Sequence, residues 1–164
     1  KGLRIQSEYI GNNTKIKKET QIADHAGTKK FNGWYVHAGY LLFGGQHRYN
    51  NAEGEFTQPD RGREWGDIEL LLRYDYIDLN SENIYGGAGN NYTVGLNVYI
   101  NNSVKFVLNY QYSKNDRYAN GKNKLNVGTD ANGTPTWDYT KIVEGKGKAG
   151  VKYNMLGLRM EIDF

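Results

Sequence analysis

The sequence predicts an all-β fold: an antiparallel transmembrane β-barrel, of which residues 1–164 supply one partial domain of six to eight strands. Three observations predict it. Four segments alternate apolar and polar side chains with period two. No apolar run approaches the roughly 18 residues that a membrane helix requires. Tyrosine is abundant, with 14 against 5 phenylalanines, and its apolar ring and wet hydroxyl suit a membrane interface. A mean hydropathy of −0.78 agrees with this reading, because only alternate residues of a barrel strand meet lipid.

Six strands are expected, at about 3–10, 31–43, 67–78, 91–100, 104–113 and 151–164. In the third, Ile68, Leu70, Leu72, Tyr74 and Tyr76 alternate with Asp67, Glu69, Leu71, Arg73 and Asp75, which sets a greasy face against a charged one. The fourth alternates Tyr92, Val94, Leu96, Val98 and Ile100 with Thr93, Gly95, Asn97 and Tyr99. A tight turn at Asn101, Asn102 and Ser103 joins it to the fifth, where Val104, Phe106, Leu108, Tyr110 and Tyr112 oppose Lys105, Val107, Asn109 and Gln111. The last strand sets Leu156, Leu158, Met160, Ile162 and Phe164 against Gly157, Arg159, Glu161 and Asp163. The two upstream strands are weaker: Leu3, Ile5 and Tyr9 oppose Arg4, Gln6 and Glu8, and the alternation of Trp34 to Phe43 is blurred.

Long polar connections are expected at Gly11 to Lys30, Gly44 to Gly66, Leu79 to Asn91 and Ser113 to Gly150, lengths that argue against a compact soluble domain. Within the last, Asn120-Gly121 and Asn132-Gly133 favour a further hairpin. Gly44 to Gly66 falls on the rim where a short turn is expected. Since the smallest membrane barrels need about eight strands, six imply either further strands before this chain or closure with another chain; the former is the favoured expectation.

Several function classes find no support. The formal charge of +3, from 21 basic and 18 acidic side chains, is too balanced to indicate a nucleic-acid partner. Cysteine is absent. His25, His37 and His47 show no metal-ligand spacing, and the serines Ser7, Ser81, Ser103 and Ser113 stand in no nucleophile motif. The Gly86-Gly87-Ala88-Gly89 stretch lacks the context of a phosphate cradle and reads as a flexible loop, so neither enzyme nor cofactor is expected.

The blocks GWYVHAGYLLFGG (33–45) with HRYN after it, WGDIELLLRYDYIDLN (65–80), and GGAGNNYTVGLNVYINNSVKFVLNYQY (86–112) resemble, in this order, the phosphate-selective porin family of O and P type. The ending LGLRMEIDF is similar to the C-terminal strand of many outer-membrane proteins, where the terminal aromatic, here Phe164, is read by the barrel-assembly machinery. The resemblance implies the C-terminal part of a sixteen-stranded, homotrimeric outer-membrane pore in contact with lipid, through which basic side chains pass small anions, phosphate preferred.

With the apolar faces toward lipid, Glu69, Arg73, Asp75, Lys105, Asn109, Gln111, Arg159, Glu161 and Asp163 face the lumen, and His37 with them. Charged rings in a narrow passage govern ion selectivity, whereas a cross-strand salt-bridge ladder would only stiffen the wall. Arg73 and Arg159 are read first as ladder members, and Lys105, with fewer acidic neighbours in sequence, as the better pore residue. Lys141, Lys146, Lys148 and Lys152 lie in or beside the last long loop and are candidates for drawing anions to the mouth; plain solvation is their ordinary role. Two other readings stay open: a plugged or structural outer-membrane barrel, and a soluble β-rich ligand-binding domain whose apolar faces form a core.

Overall fold

A computed structural model describes residues 2–17, 27–81, 84–115, 128–136, 141, 143 and 151–162. Along the chain run β1 (Leu3–Ile16), β2 (Gly27–Leu41), a short pair β3 (Tyr49–Asn50) and β4 (Glu55–Phe56), then β5 (Asp67–Ser81), β6 (Ile84–Tyr99) and β7 (Val104–Asn115). A second short pair, β8 (Gly128–Thr129) and β9 (Pro135–Thr136), precedes β10 (Lys152–Ile162). The six long strands form one antiparallel sheet in the order β1-β2-β5-β6-β7-β10. The sheet is open: among the described residues β1 and β10 each pair on one side only.

Register converts the alternation of each strand into bands that cross the whole sheet. Leu3, Tyr40, Leu70, Leu96, Leu108 and Leu158 are successive partners, one from each strand. The next band is Ile5, Ala38, Leu72, Val94, Tyr110 and Leu156. A slip of one residue in any pair would send that strand's apolar set to the other face, so each register is tied to the pattern.

Burial is inverted relative to a soluble domain. Leu72, Leu156 and Leu158 are 52, 75 and 77% exposed, while Asp67, Glu69 and Ser113 are fully buried. Nothing among the described residues packs on the apolar face. An exposed apolar surface of this extent needs a partner medium.

Aromatic rings edge this face. Trp34 lies 5.0 Å from Tyr74, Tyr74 5.1 Å from Tyr92, and Tyr92 6.3 Å from Tyr112, in a belt across four strands. At the opposite rim Phe43 and Trp65 meet edge to face at 5.0 Å. From Tyr74 to Trp65 is roughly 30 Å of chain at about 3.3 Å per residue. At the tilt that barrel strands adopt, this span would make a band of about 23 Å, close to the height of a lipid-facing apolar zone.

The strands run past the limits that alternation sets. Gly11–Ile16 continues β1 with Asn12, Asn13, Thr14 and Lys15, and Leu79 to Asn91, which the pattern marks as a loop, is strand to Ser81 and again from Ile84. Period-two contrast needs an apolar medium on one side; where both faces are polar, pairing continues without it. The Gly86 to Gly89 stretch is accordingly strand, opposite a register irregularity at Asp78 and Asn80. Asn132-Gly133 does turn the chain, with Gly133 at φ 76°, but in the β8–β9 pair, a sheet of its own. The tight turn at Asn101 is held by its side chain, whose Oδ1 accepts from the Ser103 and Val104 amides at 2.8 Å.

Candidate functional site

The polar face is the candidate site, and residues 42–66 cover its turn-side end. Asp67, the first residue of β5, anchors this cover. Its Oδ1 accepts from the amides of Phe43 and Ile68 at 3.0 and 2.8 Å, and its Oδ2 from Gly45 and Gly62 at 3.0 and 2.8 Å. One carboxylate thus ties both ends of the segment to the strand. Gln46 and Asp60 exchange backbone hydrogen bonds at 2.9 Å, and Arg61 donates to the Ile100 carbonyl at 2.9 Å, joining the segment to the neighbouring turn.

Glu69, one step further along the polar face, lies beneath this cover. Its Oε1 accepts from Arg4 Nε at 2.8 Å, and its Oε2 from Asn97 Nδ2 and Tyr99 Oη at 2.9 and 2.8 Å. Arg4 stands on β1 and Glu69 on β5, so the pair spans β2. Gly39 makes this possible: a Cβ there would lie 2.2 Å from Glu69 Oε1 and 2.9 Å from Arg4 Nε. Gly39, Gly95 and Gly157 share one transverse row, which lowers the floor of the polar face.

The cover rests on the same cluster. The Arg4 guanidinium sits 5.5 Å from the Phe56 ring centre, Phe56 packs against Tyr49 at 5.1 Å, and His47 Nε2 lies 3.6 Å from Glu69 Oε1. Burial pushes the His47 imidazole below its ordinary value, with the Glu69 carboxylate opposing that shift. A largely neutral His47 at neutral pH therefore sits beside the Arg4–Glu69 pair without adding a charge to it.

A second cluster lies nearer mid-sheet. Arg73 donates to Asp75 Oδ1 from Nε at 2.8 Å and stacks 4.2 Å over the Tyr35 ring; Tyr35 is stacked on His37 at 5.8 Å. Arg73 therefore pairs along its own strand rather than in the cross-strand ladder expected of it. In the third cluster β10 brings Glu161 directly opposite Lys105, a neighbour that sequence separation hid, and Lys105 and Arg159 share its carboxylate. Two cations thus flank one anion, and Arg159 is 65% exposed.

A model of the phosphate-selective porin O and P family matches residues 2–136. The chain belongs to that family. An uncharacterized protein of Caulobacter vibrioides is 32% identical over 83 residues, which are 49% of this chain and 17% of that protein. Porin O of Pseudomonas aeruginosa is 27% identical over 126 residues, 70% of this chain and 27% of its own length. The chain thus spans less than a third of either relative. No solved structure matches it.

Of the residues singled out from the sequence of this family member, Arg73, Lys105, Arg159, Glu69, Asp75, Asn109 and Glu161 all lie on the polar face. Glu69 is fully buried and out of a solute's reach; its work is holding Arg4, Asn97 and Tyr99. Lys152 falls on the other face, opposite Lys114. Lys141 is described and has an interaction partner; Lys146, Lys148, Asp163 and Phe164 lie outside the described residues. The sequence reading missed Asp67 as an anchor, Arg4 and His47 as cluster members, and Tyr35 as the platform of Arg73. Only Asp67 left a local signal, a carboxylate directly after the Gly66 that ends the irregular stretch.

Proposed function

We propose that this chain is part of the wall of an outer-membrane β-barrel porin, a channel rather than an enzyme, that passes small anions with phosphate among them. The observation that carries this reading is the inverted sheet, apolar on one face and charged on the other, with an aromatic belt across four strands and an aromatic pair about one bilayer zone away. Membership of the porin O and P family supports it. Further strands, from the same chain or another, close the barrel, and lipid covers the apolar bands. Assembly as a homotrimer and insertion through the C-terminal strand belong to the same proposal.

On this reading Arg73 and the Lys105–Glu161–Arg159 group are the solute-facing cations. Arg73 is held in place by Asp75 and Tyr35 yet keeps 40% of its side chain exposed. The shared carboxylate of Glu161 leaves one cation in excess beside it. Excess positive charge at a narrow, poorly screened passage favours anions. The 42–66 cover narrows the lumen beneath the turn-side rim.

The same cover favours a second reading, a plugged barrel. Single-channel recording of the full-length gene product in planar bilayers separates the two. The porin reading expects discrete steps whose reversal potential shifts toward chloride and which phosphate blocks. Cation-selective steps would overturn anion passage, and a protein that inserts silently would establish the plugged barrel.

A further inference from the structure

The alternation that puts Leu108, Tyr110 and Tyr112 on the apolar face runs on to Lys114, and that of Leu158, Leu156 and Asn154 runs on to Lys152, with no bulge between the two strands. The two lysines are direct partners across β7 and β10. Like charges placed opposite one another destabilise an antiparallel pair, and register cannot relieve them without displacing the leucines below. Neither lysine has an ion pair or a side-chain hydrogen bond among the described residues. The nearest acid in the described part of this face is Asp78, two strands away, and its carboxylate accepts from the backbone and side-chain nitrogens of Asn80.

Directly below the pair lies the tyrosine belt, where Tyr112 and Tyr92 stack and the Tyr110 hydroxyl donates to Asn154 at 2.8 Å. Such a belt marks the depth at which acyl chains give way to headgroups. Lysines one row further out carry their ammonium groups to headgroup level on flexible apolar stems. We infer that Lys114 and Lys152 form a docking site for a phosphate-bearing lipid headgroup, the acyl chains of that lipid lying on Leu156, Leu158 and Leu108. The site lies at the rim of the long 116–151 connection, which in such barrels faces outward, so the occupant is an anionic glycolipid of the outer leaflet. The inference rests on the reading of this face as lipid-facing.

The test reconstitutes the full-length protein in phosphatidylcholine vesicles containing a bisphosphorylated glycolipid or its dephosphorylated form, and counts co-purified lipid by native mass spectrometry. The wild type is expected to retain the bisphosphorylated form selectively. At about fivefold per lysine, the double variant K114Q/K152Q should retain on the order of twentyfold less. K114R/K152R should retain it as the wild type does, and wild-type retention should fall as salt is raised; these two readouts stand even where the glutamine variant fails to fold. Equal retention by wild type and K114Q/K152Q, or equal retention of the dephosphorylated lipid, overturns the site. Displacement of the glycolipid by inorganic phosphate alone would reassign the pair to a free anion and overturn it as well. Failure of the wild type to insert, read from protease protection, would instead remove the membrane reading on which it rests.

Discussion

At the scale of single residues, the polar face depends on what is left out as much as on what is present. Gly39 lies under the Arg4–Glu69 pair, and Glu69 cannot swing aside because Asn97 and Tyr99 hold its other oxygen. G39A is therefore expected to lower stability by about 1–3 kcal/mol, the usual effect of overpacking. G157A, whose Cβ would meet nothing within 4 Å, should leave the unfolding midpoint in detergent unchanged. His47 gives a pH dependence with a definite sign. Its value is lowered in the folded protein, so its contribution to seating the 42–66 segment is complete above the ordinary value of about 6.5 and is lost as pH falls through the lowered one. Amide protection at Gly45 and Gly62 should fall on acidification in the wild type and less so in H47Q; identical pH profiles would remove His47 from the coupling.

The long strands and the 42–66 segment differ in how far the sequence discloses them. β5, β6, β7 and β10 are legible because one face of each is apolar and the other polar, and Leu70, Leu96 and Leu108 register that contrast residue by residue. The outer parts of β1 and β6 are not, since Asn12, Asn13 and Gly86 to Asn90 have no apolar medium to alternate against. The 42–66 segment is illegible for another reason: its order comes from Asp67 and Arg4, one at its far end and one on another strand, and no local period encodes such contacts. The same holds for the Lys105–Glu161 pair, which exists only through the β7–β10 register. The role of Asp67 is testable. In D67N one oxygen becomes an amino group facing the amides of Gly45, Gly62 or Phe43, and the loss of two charge-assisted hydrogen bonds should weaken the seating of the segment by about 3 kcal/mol or more. If the segment narrows the lumen, single-channel conductance rises in D67N; an unchanged conductance with lost amide protection would show that the cover does not limit the current.

For the whole molecule, the question is what medium covers the six-strand apolar bands. A soluble core and a bilayer both penalise a charge there, so the size of the penalty does not separate them; its dependence on depth does. In a bilayer, arginine at the midplane costs about 2–4 kcal/mol and near the interface only about 0–1. Leu96 and Leu108 lie in the central band, Tyr92 and Tyr112 in the belt two rows away on the same strands. L96R and L108R should therefore destabilise the protein by about 2–4 kcal/mol when it folds into vesicles, and Y92R and Y112R by much less. Asn109→Arg, adjacent to Leu108 but on the polar face, should have no such penalty. The gradient should flatten in vesicles of shorter-chain lipids, because thinner hydrocarbon brings the central band nearer to water. A packed protein core has no reason to respond to acyl-chain length, so a penalty that stays the same across lipids would mean that the bands are buried against protein, and the soluble binding-domain reading would return.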